Sequence, residues 1–193
     1  MSGRQAQKGR TREALLDGAR RLLAEGQAVT VHAAAETAGV SRATAYRYFS
    51  DPSVLAAEAG LAVAVAPYAA IVAGAGDARA RLMAVSLYMF DLALEHEAEF
   101  RHFLARWLDA WRPGEGGLTR GARRVEMFEQ ALGTERVRIG AARAEALVRA
   151  LAATTGSEAM IGLLDVARAD RDAARATVAE IAGLLIDRHL GPA

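Results

Sequence analysis

The side chains best suited to contact a ligand lie between Ser41 and Ser50. This stretch contains two arginines and two tyrosines, and it contains no acidic residue. Wound as a helix, it presents hydrogen-bond donors and small groups on one face: Arg42, Ala43, Tyr46 and Arg47. Guanidinium and hydroxyl groups donate hydrogen bonds to phosphates and to base edges. The pattern therefore predicts a surface that fits a groove of double-stranded DNA.

The residues before Ser41 predict a first helix and a turn that hold this surface in place. Thr30 is a good N-cap residue, and apolar residues follow it at helical spacing: Val31, Ala34, Ala35 and Ala38. Gly39 stands where the helix must stop, because glycine adopts the left-handed conformation without steric cost. Ser41 then caps the second helix. We predict a helix-turn-helix over 30–49; a purely structural hairpin is the alternative, and the exposed face without carboxylates argues against it.

A basic helix precedes this segment. An apolar stripe predicts a helix over 11–25, on which the helix-turn-helix packs to form a three-helix head. We expect residues 1–10 to be mobile, either as an arm that touches DNA or as a solvated tail. Residues 1–55 contain eight Lys and Arg against five Asp and Glu, a net +3, and the remainder contains sixteen against eighteen, a net −2. A basic head on a mildly acidic body is typical of a DNA reader.

The rest of the chain is predicted to form further helices. Their expected ranges are 53–68, 77–94, 97–111, 120–132, 135–154, 157–167 and 170–190. No stretch alternates β-branched and polar residues as a strand does. We therefore predict an all-α protein of about nine helices. It would have a helix-turn-helix DNA-binding domain over 1–52 and a larger helical bundle for ligand binding and dimerisation over 53–193.

The composition excludes several classes of protein. The chain has no cysteine, which rules out disulfides, thiol catalysis and cysteine-ligated metals. Its start is polar and basic, without the apolar run of a signal peptide, and the apolar stretch 61–72 is too short to span a bilayer. We expect a soluble, cytoplasmic protein with no membrane partner.

One group of residues outside the head has metal-ligand spacing. Glu99 and His102 form a Glu-x-x-His pair, as in di-iron bundles, but such a site needs a second pair and two more carboxylates. A solvated or ion-paired helix face is the preferred interpretation, with contact to a polar effector as the alternative. The sequence also lacks a Gly-x-Ser-x-Gly elbow and a phosphate-binding glycine loop. We therefore expect no metal, no cofactor and no enzymatic activity.

Large apolar residues in the predicted middle helices suggest a ligand pocket. Small-molecule sites are usually apolar cavities with few polar groups, although ordinary core packing is the alternative for each residue. The candidate lining residues are Tyr68, Met83, Leu87, Phe90, Phe103, Trp107, Trp111 and Phe128. We expect any ligand to be hydrophobic or aromatic and to be held by shape and stacking.

The basic first helix and the sequence TVHAAAETAGVSRATAYRYF resemble the tetracycline-repressor (TetR) family of bacterial transcriptional regulators. The likeness is specific over 11–55 and rests on length and helix pattern beyond that range. It implies a homodimer in which each subunit places a recognition helix in successive major grooves of a near-palindromic operator. It also implies a C-terminal pocket whose ligand alters the fourth helix and so the separation of the two heads.

The resemblance assigns DNA contacts within the head. Thr30 and Ser41 would meet phosphates through hydroxyl or backbone N–H groups. Arg42 would favour guanine and Ala43 a thymine methyl, while the tyrosines would donate their hydroxyls to the DNA backbone. The complete expected set is Thr30, His32, Ser41, Arg42, Ala43, Thr44, Tyr46, Arg47 and Tyr48.

The head departs from the family pattern at several positions. His32 stands where an arginine is usual, and a neutral histidine is a weaker phosphate partner. Pro52 stands where a lysine usually begins the fourth helix, so that phosphate contact is expected to be missing. Ala34 and Ala45 replace bulkier residues, so this head is expected to pack less tightly.

Small and apolar residues on the last two long helices predict a dimer interface. Alanine lets helices approach closely, and in the family such helices form a four-helix interface. The candidates are Ala146, Ala150, Ala153, Ala174, Val178, Ile181 and Leu185. Packing of these faces on each other within one subunit is the alternative.

Together these features predict a homodimeric DNA-binding transcriptional regulator, a repressor of a palindromic operator that a small apolar ligand releases. Two other hypotheses stay open. One is an activator, or a regulator that answers no ligand. The other is a helical bundle that binds a small molecule or a metal, or acts as an enzyme, with the head as a docking module only.

Overall fold

The computed structural model describes residues 3–60, 63–109 and 123–191. These residues form helices joined by short connections, with no β-strand among them. The α-helices are α1 (Gly3–Ala24), α2 (Val31–Thr37), α3 (Arg42–Tyr46), α4 (Pro52–Gly60), α5 (Tyr68–Ile71), α6 (Ala78–Glu95), α7 (Glu97–Asp109), α8 (Arg123–Leu132), α9 (Glu135–Ile139), α10 (Ala141–Thr154), α11 (Ser157–Ile161) and α12 (Arg171–Leu190). A π-helical segment, Gly162–Val166, follows α11. The all-α prediction is confirmed.

Predicted helix boundaries are wrong at three places in the part of the chain described. The helix predicted over 135–154 is divided into α9 and α10, because Gly140 between them has a φ of 84°, which a right-handed helix does not contain. At the other end of the chain, α1 already begins at Gly3. Residues 3–10, expected as a mobile arm, are therefore helical.

The connection between α4 and α5 is not helical. The predicted helix over 53–68 ends early, at Gly60, and residues 63–67 have no regular structure. Within this connection the N–H of Ala66 donates to the hydroxyl of Tyr88 at 2.6 Å, and Val65 packs against an apolar core. The connection is thus held on α6 by both polar and apolar contacts.

The described residues form two compact units. Unit 1 contains those within Met1–Val63 and Ala98–Arg120, and unit 2 contains those within Ala64–Glu97 and Gly121–Ala193. The domain boundary predicted after residue 52 does not coincide with the division between these two units, because α4 contributes apolar side chains to the core of unit 1.

In unit 1, α1 packs against α2 and α4. A Cβ added to Gly18 would lie 2.6 Å from the carbonyl oxygen of Ala34, so α1 approaches α2 more closely than a side chain at this position would allow. The ring of Trp107, on α7, packs against the same core. The buried core residues include Leu15, Leu16, Ala19, Leu22, Val31, Ala35, Ala45, Phe49, Val54 and Leu55.

In unit 2, α6 and α12 lie side by side. Helix α8 packs on α6, α10 packs on α12, and α8 and α10 contact each other. Arg79 near the start of α6 pairs with Asp187 near the end of α12. Asp91 near the end of α6 pairs with Arg175 near the start of α12. The two helices are therefore antiparallel. Arg175 donates to both carboxylate oxygens of Asp91 at 2.7 and 3.0 Å, and this hydrogen bonding raises the pKa of the guanidinium. The buried core includes Leu82, Val85, Phe128, Leu147, Leu151, Ala182 and Ile186.

Arginines from three helices hold the carbonyl groups at the end of α12. Arg79 of α6 donates to the carbonyl oxygen of Gly191. Arg138 of α9 donates to that of Leu190 at 3.1 Å, and Arg143 of α10 donates to that of Arg188 at 2.6 Å. Cations at this end also complement the negative end of the helix dipole.

No single helix within the described ranges is both long and apolar enough to cross a membrane. One pair of consecutive segments is together long and apolar enough to cross a membrane, but a bend of 46° separates the two: Ala141–Thr154 and Ser157–Val166. Core helices of soluble proteins meet the same criteria.

Candidate nucleic-acid interface

The first helix of the candidate interface is capped as its sequence predicts. Thr30 has extended backbone angles, and its hydroxyl accepts from the N–H of Ala33 at 3.0 Å. One face of α2 is buried against α1 through Val31, Ala34 and Ala35. The cap and this apolar face together fix where α2 begins and which side it turns inward.

The turn after α2 follows from Gly39, which has a φ of 65°. Its N–H donates to the carbonyl oxygen of Glu36 at 3.1 Å, and the next N–H, of Val40, donates to Ala35 at 2.9 Å. These bonds satisfy carbonyl groups that the helix end leaves free. Ser41 then starts α3, its hydroxyl accepting from the N–H of Thr44 at 3.3 Å.

The second helix, α3, is short and turns most of its side chains to solvent. It ends at Tyr46, so Tyr48 and Phe49, which were predicted to share a helical face with Ala45, lie beyond it. The exposed residues of the candidate set are Thr30, His32, Ser41, Arg42, Ala43, Tyr46 and Arg47. Thr44 and Tyr48 are half-buried, and the ring of Tyr48 packs against the core of unit 1.

Side chains on the outer face of α3 contact one another. The Arg42 guanidinium lies over the ring of Tyr46. At the start of the helix the hydroxyl of Ser41 donates to that of Thr44 at 2.9 Å. The donors that could meet DNA are therefore partly ordered before any ligand binds.

Glu36 places a carboxylate beside His32 on α2. The two side chains are 3.5 Å apart, and both are more than half exposed. Because a carboxylate repels phosphate, this end of the surface is less favourable for DNA than α3 is. In the sequence, the separation of four residues between His32 and Glu36 indicated this contact, because such residues are neighbours on the surface of a helix.

A buried charge pair beside α3 is the feature that sequence reasoning missed. Arg12 of α1 donates to Glu58 of α4 and lies over the ring of Phe49. The two charged residues are 46 positions apart, so no local spacing relates them. The only signal was a glutamate within an otherwise apolar helix, because a glutamate is seldom buried unless it is paired.

The residues predicted to line a ligand pocket are divided between the units. Phe103 and Trp107 belong to unit 1, where Trp107 packs against the core formed by α1 to α4. Trp111 lies outside the described residues. The others belong to unit 2, where all are buried or half-buried: Tyr68, Met83, Leu87, Phe90 and Phe128.

The predicted dimer stripe is partly turned inward. Ala174 and Val178 are fully buried within the chain, because this side of α12 packs on the core of unit 2. The remaining candidates are half-buried or exposed: Ala146, Ala150, Ala153, Ile181 and Leu185. Leu184, which the predicted stripe omits, is 63% exposed. The outward apolar side of α12 therefore runs through Ile181 and Leu184.

Glu99 and His102 are both exposed on α7. Glu97, close to them in sequence, pairs with Arg171 of α12 at 2.9 Å. Across the described ranges, no group of three or more His, Asp or Glu residues is arranged to hold a metal ion.

No protein-family model, no curated protein and no solved structure matches this chain.

Proposed function

We propose that this chain is a DNA-binding transcriptional regulator that reads double-stranded DNA with α3. The observation that carries the proposal is the outer face of this helix and its C-cap residue, Arg47. Arg42, Tyr46 and Arg47 are exposed, and no carboxylate lies between Ser41 and Ser50. Guanidinium and hydroxyl donors without a competing acid are the groups that phosphates and base edges accept.

The burial pattern of α3 supports this role. Ala45 is the one buried side chain of the helix and Thr44 is half-buried, so the helix turns Arg42, Ala43 and Tyr46 outward. Arg42 and Ala43, at its start, would face base edges, with Arg42 donating to guanine. Arg47 and the hydroxyl of Tyr46 would meet the DNA backbone.

Pairing of two copies would give this short helix enough contact with DNA. A single head makes few base contacts, whereas two heads spaced by one helical turn of DNA read a palindrome. The outward apolar side of α12, with Ile181 and Leu184, supports a homodimer. The resemblance to the TetR family supports a cytoplasmic repressor, without enzymatic activity, whose operator binding is released by a small apolar ligand.

The proposal is tested by selection from random DNA duplexes with the purified full-length chain. We expect a palindrome to be enriched, with half-sites centred about 10 base pairs or a multiple apart. Arg42→Ala should weaken the enrichment and relax the base preference at one position of each half-site. Arg149→Ala is the matched control, because Arg149 lies on α10 and is 73% exposed. If the wild-type chain enriches no sequence and binds DNA only weakly at low salt, the proposal is wrong.

A further inference from the structure

A largely buried ion pair joins α1 to α4 in unit 1. Arg12 donates a hydrogen bond to the Oε2 atom of Glu58. The side chain of Arg12 is 19% exposed and that of Glu58 is 8% exposed, so both charges are largely removed from water. Removing charges from water is unfavourable unless each is well paired, so neither residue is replaceable alone without leaving a buried charge.

The same arginine contacts the chain that leaves α3. Its guanidinium carbon lies 4.7 Å from the centroid of the Phe49 ring, within the range in which a cation is attracted to an aromatic face. Phe49 is 2% exposed and stands between the end of α3 at Tyr46 and the start of α4 at Pro52. Arg12 thus contacts both the exit from α3 and the helix that follows.

The orientation of α3 depends on its flanks. The helix has five residues, and Ala45 is its one buried side chain, so its own packing holds it weakly. Before it, Val40 is bonded to α2. After it, Phe49 is the first fully buried side chain, and Arg12 lies over its ring. Movement at Phe49 would therefore turn the outer face of α3.

A basic residue in a basic head would ordinarily be assigned to DNA phosphates. The contacts of Arg12 argue against that assignment, because Glu58 neutralises the guanidinium and the ring of Phe49 lies against one of its faces. Arg42 and Arg47, by contrast, are exposed. The two kinds of arginine in this head therefore have different environments and should have different roles.

We infer that Arg12 and Glu58 are positioning residues for DNA reading: their buried ion pair fixes α4 and the chain at Phe49 against α1, and so sets the direction in which α3 presents Arg42 and Tyr46. The inference rests on the proposed function. Neither residue of the pair contacts DNA.

The test compares the full-length wild type with Arg12→Met, Glu58→Leu and the double variant Arg12→Met/Glu58→Leu. The control is Arg21→Met, because Arg21 is an exposed arginine of the same helix. Affinity is measured for the selected duplex and for an unrelated duplex at several salt concentrations. All titrations are made well below the lowest unfolding midpoint, which is recorded for each variant.

We expect each single variant to lose about tenfold or more on the selected duplex, on the order of one mismatched base pair. The salt dependence on the unrelated duplex should not change. The double variant should recover most of the lost affinity, because it removes both charges of this ion pair together and puts apolar side chains between α1 and α4. The control should keep the wild-type ratio of selected to unrelated affinity.

Two results would overturn the inference while leaving the proposed function intact. In the first, the slope of log affinity against log salt becomes shallower by about 0.9 in Arg12→Met and in the double variant, and the double variant recovers no affinity. That result would identify Arg12 as a phosphate ligand. In the other, the single variants discriminate between duplexes as the wild type does. If the wild type itself selects no sequence, the proposed function fails and this inference fails with it.

Discussion

Arg42 and Tyr46 form a stacked pair on the outer face of α3, with the guanidinium carbon of Arg42 5.6 Å from the centroid of the Tyr46 ring. The tyrosine is 43% exposed, so the pair faces solvent. Because the ring restricts a flexible arginine, the guanidinium is partly ordered in the free chain, which would lower the entropic cost of the proposed DNA binding. In the proposed function Tyr46 therefore contributes in two ways, one through its hydroxyl and one through Arg42.

Substitutions in this pair should separate affinity from specificity. Arg42→Ala should weaken binding to the selected duplex by about 1–3 kcal/mol and relax the preference at one base pair. Tyr46→Phe should weaken binding to all sequences alike, because it removes a hydroxyl donor to the DNA backbone and keeps the ring. Titration against the selected duplex and its single-base variants measures both effects.

Tyr46→Leu is the matched variant for the ring itself. It should lose the hydroxyl contribution and also part of the base preference that depends on Arg42. Equal base preferences in the Leu and Phe variants would show that the ring does not order Arg42. Wild-type affinity in both Arg42→Ala and Tyr46→Phe would show that α3 is not the reading helix.

Gly18→Ala should destabilise the protein. The added Cβ would lie 2.6 Å from the backbone oxygen of Ala34, so α1 and α2 would have to separate, at a cost of about 1–3 kcal/mol. Gly9→Ala is the control, because Gly9 is in the same helix and has no atom within 4 Å of the added Cβ. That change should stabilise by up to about 1 kcal/mol through helix propensity. Thermal unfolding of both variants checks the pair, and a stable Gly18→Ala would contradict the close approach of α1 and α2.

Trp107→Ala should loosen unit 1 and leave unit 2 unchanged. The ring packs against the core formed by α1 to α4, and its removal should cost about 2 kcal/mol. Hydrogen exchange measured by mass spectrometry should show lower protection in α1, α2 and α4, with α10 and α12 as in the wild type. Phe128→Ala is the reciprocal control, since Phe128 is fully buried in unit 2. Loss of protection in α10 or α12 on Trp107→Ala would contradict the placement of this ring.

Leu184→Arg should separate the proposed dimer into monomers. Leu184 is 63% exposed on the outward side of α12, and an arginine there would place a charge in an apolar contact. Light scattering should give half the wild-type mass, and binding to the palindrome should weaken as two heads become one. Val137→Arg is the control, because Val137 is 87% exposed on α9. A dimeric Leu184→Arg would place the interface elsewhere.

Local features of the head could be predicted from sequence because they depend on neighbouring residues. The capping hydroxyls of Thr30 and Ser41 and the left-handed Gly39 each act within four positions along the chain. The break at Gly140 was missed because apolar residues continue through it at helical spacing, from Val137 to Ala141 and Ala144. Helical periodicity alone does not show where a single glycine divides a helix.

Features that join distant segments could not be predicted in the same way. Trp107 has the spacing of a helix stripe, but nothing in that spacing tells which core the stripe covers. Arg12 and Glu58 meet because α1 and α4 pack together, which is a property of the fold. Ala174 and Val178, candidates for a dimer interface, are buried within the chain for the same reason: a stripe of apolar residues indicates a contact without identifying its partner.

The place of α12 in unit 2 has a consequence for synthesis of the protein on the ribosome. This helix supplies Ala182 and Ile186 to the core of unit 2, and its last turn is where Arg79, Arg138 and Arg143 converge. A nascent chain that has not reached α12 leaves the apolar sides of α6 and α10 uncovered, and such surfaces bind chaperones or aggregate. Folding of unit 2 is therefore completed only after α12 has emerged, and translation products that stop before α12 are expected to be targets for proteolysis.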